Sequence, residues 1–304
     1  MRISTQAASQ SALMDLMRAQ REAFDAREQL STGKKAADLK GYANSAETIL
    51  TARSAQVRAE GFIDANQRLA SRLEVQDLAY RELSDAASQL REALTTTDGT
   101  ALMNNVQAAF DRVVSALSTK FAGSFVFSGV RTDSPPINAS TLAELQAAAP
   151  DVSAVFENAE RRQTAQIDGE TSLDVNRTAS EVAGGLMAVF ERLADFDQGA
   201  NGPFDGPMNA AQQAFIQTEI SNVIAAFDTI NDAMAENGSK QARVEASVRG
   251  HQERSDYLTQ MIADLEDADM AEAASRLTQA QTAVEVSART FASLSQVSLL
   301  PFLR

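Results

Sequence analysis

The sequence contains no cysteine and no tryptophan, and its 304 residues include only 6 prolines, 14 glycines and a single histidine, His251. The absence of cysteine excludes disulfides and thiolate chemistry. Aromatic residues make up only 6% of the chain, whereas alanine is abundant. Few helix breakers together with many Ala, Gln, Glu and Arg favour long helices.

A basic surface and a long apolar run are also missing. The formal net charge of −14 argues against nucleic acid as a partner, because phosphate binding needs clustered Lys and Arg. No apolar run reaches the roughly 20 residues that a membrane span needs. Residues 1–17 lack the continuous apolar core of a secretory signal. The composition therefore predicts no membrane insertion and, by the usual rules, a cytoplasmic protein.

Charge is distributed unevenly along the chain. Residues 1–35 and residues 273–304 each carry a net charge of +2, so the segment between them carries −18. An acidic middle keeps copies of the chain apart and soluble, while weakly charged ends can pack together. This pattern favours self-association through the two ends, although a solvated globular protein would also tolerate it.

The strongest periodicity lies in residues 52–94, where apolar side chains alternate at three- and four-residue spacing. Six heptads of this kind predict one long helix with a coiled-coil seam. The segment 95–100, TTTDGT, ends it, and the same spacing in 103–117 predicts an antiparallel neighbour. Internal core explains the long stripe better than contact with another subunit does.

Helical character is lost in 121–137, where glycines and the Pro135–Pro136 pair interrupt the chain and SFVFS alternates as a strand does. A second strand pattern, 162–177, contains Asp168–Gly169 between two alternating runs, which predicts a two-residue hairpin turn. A short helix and a loop are expected between the two patterns. Residues 137–178 are therefore predicted to form a small mixed insertion.

Helices are predicted again at 179–195, 210–235 and 242–264, separated by an exposed loop at 195–209 and a turn at 235–241 around Asn237–Gly238. A last helix begins at Met270, and its apolar stripe continues to the final residues. A looser apolar stripe near the amino terminus offers a partner for it. The first helix is expected to stop at STGKK, where Gly33 suits a C-terminal cap and the two lysines favour the negative end of the dipole.

The predicted fold is mainly α, a long antiparallel coiled-coil or helical-bundle rod with its N- and C-terminal helices paired and a small α+β insertion containing β-hairpins. Three domains are predicted: a terminal coiled coil of 1–40 with 266–304, a helical rod of 41–136 with 179–265, and the outer insertion 137–178. Each terminal helix has too thin an apolar face to be stable alone. We expect both to be partly disordered in a free monomer and to order on assembly.

Contact between subunits is the predicted role of the apolar residues in both terminal helices, because core helices rarely remain apolar to the last residue. The predicted interaction residues are Ile3, Leu13, Leu16, Met17, Phe24, Leu30, Met270, Leu277, Val284, Phe291, Leu294, Leu299, Leu300 and Phe302.

Candidates for chemistry are weak. His251 lies in VRGHQERSDY, which predicts an exposed helix and a surface histidine rather than a catalytic triad. The segment DFDQGANG spaces Asp195, Asp197 and Asn201 in the manner of a calcium loop, but it lacks the glycine at the sixth position and the glutamate at the twelfth. It is therefore predicted to be an acidic loop.

The remaining clusters also favour structural roles. The acidic run 264–272 suits a helix N-terminus better than a carboxylate active site. Gly184–Gly185 has neither a phosphate-loop lysine nor dinucleotide spacing. The sequence thus predicts no catalytic residue, no cofactor, no metal site and no enzymatic activity.

Five stretches resemble the flagellin superfamily, and among its members the proteins of the hook–filament junction are the most similar. The opening MRIST and the segment 28–50, which contains LSTGKK, match the superfamily's amino-terminal pattern. The segment 123–137, GSFVFSGVRTDSPPI, is similar to a motif of the junction proteins that flagellins lack. Residues 162–176 resemble their outer strand pair, and 265–303 the superfamily's C-terminal helix.

The resemblance implies an extracellular structural subunit of the bacterial flagellum, exported unfolded and without a cleavable signal. It also implies that terminal helices link the hook-side hook-associated protein to flagellin. The implied partners are these two proteins, other copies of the chain and an export chaperone. Two alternatives stay open: a filament flagellin that polymerises with itself, and a cytoplasmic acidic coiled-coil adaptor or helical enzyme.

Overall fold

The structure is a computed structural model, which describes the backbone of residues 2–148 and 151–299 and the side chains of 7–148 and 151–294. Within these ranges the chain forms seven α-helices and four short strands. The helices are α1 (Arg2–Thr32), α2 (Ala46–Leu94), α3 (Leu102–Leu117), α4 (Leu142–Ala147), α5 (Ala179–Gln198), α6 (Ala210–Glu266) and α7 (Met270–Leu299). The strands are β1 (Lys120–Phe121), β2 (Ser124–Phe125), β3 (Thr164–Gln166) and β4 (Ser172–Asp174).

The prediction of a mainly α fold with paired terminal helices and β-hairpins is confirmed, since α1 packs along α7 and the strands form two antiparallel pairs. The chain divides into two compact units, a terminal unit of residues 1–59 with 253–304 and a central unit of residues 60–252. The division into three domains stays a prediction.

The core of the central unit is built from large side chains of α2, α3 and α5. Phe110 of α3 meets Phe190 of α5 edge to face at 5.5 Å between ring centroids, and both are fully buried. The apolar residues of α3 recur at three- and four-residue spacing, so one face of the helix is buried along its length. Burial of such aromatic and aliphatic side chains provides most of the stabilisation of this unit.

Helix α6 differs from the sequence prediction, because it continues through the turn expected around Asn237–Gly238. The Asn237 side chain is buried and its amide donates a hydrogen bond to the Leu73 carbonyl of α2 at 2.9 Å. Gly238 costs the helix about 1 kcal/mol relative to alanine. Val244, further along α6, packs in the same buried cluster as Leu69 and Leu73 of α2. The helix is therefore continuous here, and the prediction of a turn was wrong.

The segment Val126–Gly129 is the buried centre of the central unit rather than a long strand. Strand β2 ends at Phe125, and the next three residues are fully buried. The carbonyl of Phe127 accepts a hydrogen bond from the Ala179 N–H at the start of α5. Gly129 has a φ of +66°, and a Cβ there would lie 2.5 Å from the Arg161 carbonyl oxygen. Only glycine fits this position without a backbone shift.

The second hairpin is present, but its turn is longer than predicted. The Ile167 N–H donates to the Thr171 carbonyl, which leaves three residues in the loop instead of two. The Asp168 carboxylate accepts hydrogen bonds from the N–H groups of Glu170 and Thr171 at 2.8 and 2.7 Å. These bonds hold the pKa of Asp168 below its ordinary value. An aspartate turn of this kind competes with the two-residue turn.

His251 is buried, so the prediction of a surface histidine was wrong. Its ring stacks on Phe62 with centroids 4.9 Å apart, and its Nε2 lies 3.2 Å from the Ile167 carbonyl oxygen. Because a carbonyl only accepts, Nε2 carries the proton. Asn66 Nδ2 and Ser247 Oγ donate to the same oxygen, both at 2.9 Å. The histidine thus helps to hold the β3–β4 hairpin on the helices.

Candidate subunit interface

Small residues form the line along which α1 and α7 pack. Three buried alanines of α1 and two of α7 recur every seven residues, and we call this line the alanine seam; its members are Ala12, Ala19, Ala26, Ala273 and Ala280. Alanine allows two helices to approach closely, but each buried methyl contributes only about 0.8 kcal/mol. The seam therefore pairs the terminal helices with little apolar area.

Six of the predicted interaction residues flank the alanine seam and are half-buried within the chain. They are Leu16, Leu30, Leu277, Val284, Phe291 and Leu294. They are distributed along the pairing of α1 with α7. Their positions show that the C-terminal stripe has a partner in the same chain.

Three other predicted residues face away from the seam. Leu13, Met17 and Phe24 are 41%, 54% and 66% exposed, and we call them the outer stripe. At about 100° per residue their side chains fall within about 40° of one another, roughly 140° around α1 from the seam. Met14, also exposed, borders the outer stripe and was not predicted. The result is a row of large apolar side chains on a paired helix.

The remaining predicted residues lie elsewhere. Met270 is 48% exposed at the start of α7. The side chains of Ile3 and Leu299, and the residues Leu300 and Phe302, lie outside the described part of the chain. The alanines of the seam were missed as a set; their signal was the seven-residue repeat of small residues in α1.

Helix α1 ends as the STGKK segment predicts, but the lysines act on another helix. Gly33 has a φ of +70° and its N–H closes the last turn on the Gln29 carbonyl at 2.8 Å. Lys35 Nζ donates to the carbonyl oxygens of Asp264 and Leu265 at 2.8 and 3.0 Å. The negative end that they stabilise is therefore the end of α6, not that of α1.

Ion pairs also hold the segment that follows α1, and helix α2, against the end of α6 and the residues before α7. Lys34 Nζ lies 2.6 Å from Asp267 Oδ1, and Arg53 Nη2 lies 2.6 Å from Glu266 Oε1. The Glu266 side chain is only 3% exposed. Asp267 is the main reason that the pKa of Lys34 is raised. Backbone bonds from Lys35 N to the Glu266 carbonyl and from Ala268 N to the Gly33 carbonyl complete the arrangement. We call residues 33–35, Arg53 and 264–268 the clasp.

The described residues contain no group of three or more His, Asp or Glu side chains placed to hold a metal ion. Of the former calcium-loop candidates, Asp197 accepts a hydrogen bond from the Phe204 N–H at 2.8 Å and so shapes its own loop. Asp269 accepts from the N–H groups of Ala271 and Glu272, which caps α7 as the acidic run predicts. Among the described helices, none combines the length and apolarity required to cross a bilayer.

The chain is similar to known proteins both in sequence, through family models, and in fold, through solved structures. Residues 3–132 match the family model for the N-terminal helical region of bacterial flagellin, and residues 220–303 match the model for its C-terminal helical region. A search of curated protein sequences finds no match.

Two solved structures share the fold. A protein from Vibrio parahaemolyticus described as a flagellar hook-associated protein is 16% identical, with a TM-score of 0.60 over 73% of this chain and 97% of its own. FlgL from Bacillus cereus is 12% identical, with a TM-score of 0.53 over 71% of this chain and 99% of its own.

Proposed function

Because the chain belongs to the bacterial flagellin family, we propose that it is a structural, non-catalytic subunit of the flagellum that joins hook-side proteins to the filament. Its terminal helices make the contacts, both with further copies of the chain and with its flagellar neighbours. The hook-side hook-associated protein lies on one side of it and flagellin on the other.

The outer stripe is the observation that carries this proposal. Leu13, Met17 and Phe24 lie in a row on α1, although α1 already has a partner helix in α7. A row of large apolar side chains is costly to leave in water and is typical of a surface that another protein covers. Met270 extends the same role to the start of α7.

The junction is preferred over the filament because the two similar structures are a hook-associated protein and FlgL. The segment 126–129 supports this choice, since it belongs to the junction-type motif and its buried position explains why the motif needs those residues. A self-polymerising flagellin is the second candidate, favoured by the two family models, which describe flagellin itself.

The proposal includes the route and the organisation of the subunit. The chain is exported through the flagellar secretion channel without a cleavable signal, bound beforehand by an export chaperone, and acts outside the cell. Residues 1–40 with 266–304 form its axial core, 41–136 with 179–265 its rod, and 137–178 its outer insertion. Ile3, Leu299, Leu300 and Phe302 belong to the contact surface.

Immunogold labelling of flagella in the source bacterium tests the proposed place. Label confined to the point where hook meets filament supports the junction role, whereas label along the filament supports the flagellin alternative. Absence of label from flagella, with the protein retained in the cytoplasm, would refute both.

Substitutions in the outer stripe test the proposed surface. A strain that lacks the gene and carries the Met17→Ser/Phe24→Ser variant is expected to lose filament attachment, because the apolar contact area is removed. The matched control is Leu78→Ser, which changes an apolar residue of α2 that is also 60% exposed. We expect the control to retain motility; equal motility of the two variants would contradict the assignment of the surface.

A further inference from the structure

We propose that the clasp sets the register in which α1 and α7 pair. The two helices are not consecutive in the chain, so no short loop between them fixes how far one extends past the other. Something else must choose among the possible alignments. The clasp joins the segment that follows α1 to the segment that precedes α7. Within the described residues, no other set of charged contacts with a buried member joins these two segments.

The alanine seam cannot choose the register by itself. Its residues repeat at seven-residue spacing, so a shift by one heptad replaces Ala280 with another small residue, either Ala273 or Ser287. Thus Ala26, which lines the same groove as Ala280, would meet Ser287 after a shift in one direction and Ala273 after a shift in the other. Both exchanges place a small residue opposite Ala26, so neither introduces a clash at that position.

The clasp, in contrast, exists in one register only. A heptad shift moves one helix by about 10 Å along the other. Lys34 would then lose both Asp267, at 2.6 Å, and Glu266, at 3.5 Å. The Glu266 side chain is only 3% exposed and would keep Arg53 of α2 at 2.6 Å, but it would lose Lys34, the second of its two cationic partners. The loss of the Lys34 ion pairs and of the Lys35 bonds to the carbonyls at the end of α6 therefore disfavours every register except the one observed.

The register decides which side chains of α1 stand beside which side chains of α7. It therefore places the outer stripe at a defined level relative to Met270 and the rest of the terminal unit. Only this last step rests on the proposed function. The register itself concerns pairing within one chain, and it is measured on the monomer, in those molecules whose terminal helices are paired.

The absence of cysteine makes the register directly measurable. Paired cysteines are introduced into the full chain, and a cross-linker shorter than the ~10 Å of a heptad is added to the monomer. Ala26→Cys with Ala280→Cys reports the observed register. Ala26→Cys with Ser287→Cys, or with Ala273→Cys, reports a register shifted by one heptad in either direction.

The clasp is then weakened by Lys34→Gln with Glu266→Gln. We expect cross-linking of the 26/280 pair to fall roughly tenfold, because charge-assisted contacts are lost, and cross-linking of a shifted pair to rise. Lys34→Arg keeps the charge and should retain the observed register. Glu285→Gln with Arg289→Gln is the matched control, since it neutralises an exposed ion pair of α7 outside the clasp.

Circular dichroism at matched concentration separates a shift from unfolding. Helix content close to that of the unmodified chain, together with a shifted cross-link, supports the proposal. Unchanged 26/280 cross-linking in the Lys34→Gln/Glu266→Gln variant would overturn it, and so would an equal loss in the Glu285→Gln/Arg289→Gln control. Loss of helix with no shifted cross-link would also overturn it, because the clasp would then hold the pair together without selecting its register.

Discussion

The core of the central unit and the alanine seam of the terminal unit solve the same packing problem with different side chains. In the central unit, Phe110 and Phe190 meet edge to face and are fully buried. Where α1 pairs with α7 in the terminal unit, the buried apolar positions are alanines, and the large side chains of the outer stripe face water. One region buries its large apolar residues, whereas the other pairs through small ones and leaves large ones for a partner.

This difference indicates which region contributes more to the free energy of folding. Large buried side chains contribute about 1.5–3 kcal/mol each, compared with less than 1 kcal/mol for an alanine methyl. Regions with few buried apolar contacts open first in a native protein. The central unit should therefore remain folded under conditions in which the terminal helix pair opens, and the substitutions below test that contrast.

The largest expected effect comes from the central core. Phe190→Ala removes a ring that packs against Phe110 and leaves a cavity. It should lower the free energy of unfolding of the central unit by about 3–5 kcal/mol. Urea unfolding, followed by circular dichroism, measures the change. A loss below about 1 kcal/mol would contradict the assignment of this pair as the centre of the core.

A smaller effect is expected at the seam. Ala19→Leu inserts a large side chain where α1 and α7 are in contact, and overpacking of this kind costs about 1–3 kcal/mol. Amide exchange should become faster in 7–32 and 270–294, while the central unit is unchanged. The control Ala7→Leu changes an exposed alanine of the same helix. Equally fast exchange in both variants would contradict the close approach of the helices.

Acid should weaken the central unit through Glu181. Partial burial raises the pKa of Glu181, but the Arg162 guanidinium at 2.9 Å and the Thr178 N–H outweigh burial and hold the pKa below its ordinary 4.5. A carboxyl whose pKa is lowered on folding stabilises above its unfolded pKa, and loses that contribution as the pH falls through the folded value.

We therefore expect Glu181→Gln to be less stable than the unmodified chain at pH 7, and the difference to shrink as the pH falls below about 4.5. Urea unfolding of both chains, at pH 7 and again at a pH below about 4.5, measures the difference in the free energy of unfolding. Glu245→Gln, at an exposed site in the same unit, provides the control. A difference that is independent of pH would show that Glu181 does not act through its charge.

The smallest effect on the monomer is expected in the outer stripe. Phe24→Ala removes a ring that is 66% exposed, so the free energy of unfolding should change by no more than about 0.5 kcal/mol. Assembly is expected to weaken nonetheless. A large loss of monomer stability would mean that Phe24 packs within its own chain, and the outer stripe would lose its meaning as a contact surface.

Periodicity predicted the long helices well, because a stripe repeated over many turns has only one way to be buried. Residues 52–94 lie within α2, and 103–117 lie within α3. Local signals were less reliable. Asn237–Gly238 is typical of a turn in isolation, but the Asn237 amide finds its partner on α2, and such a contact cannot be read from neighbouring residues.

In the candidate interface, too, the sequence pattern predicted some features well and others poorly. Hydrophobicity identified both Leu16 and Phe24, yet only the structure separates the half-buried residue from the exposed one. Alanine has so little apolar area that the seam gave only a weak pattern. The sequence predicted that the lysines of STGKK stabilise a helix C-terminus, which is the correct type of contact. The helix is α6, however, whose end lies more than 200 residues further along the chain.

The single histidine has a practical consequence for spectroscopy. Because the chain has one imidazole, its ring protons give one set of NMR signals without selective labelling. The ring of Phe62 shifts those signals through its ring current, and the Nε2 proton is held by the Ile167 carbonyl, which protects it from exchange with water. A change in either observable reports that the β3–β4 hairpin has separated from the helices.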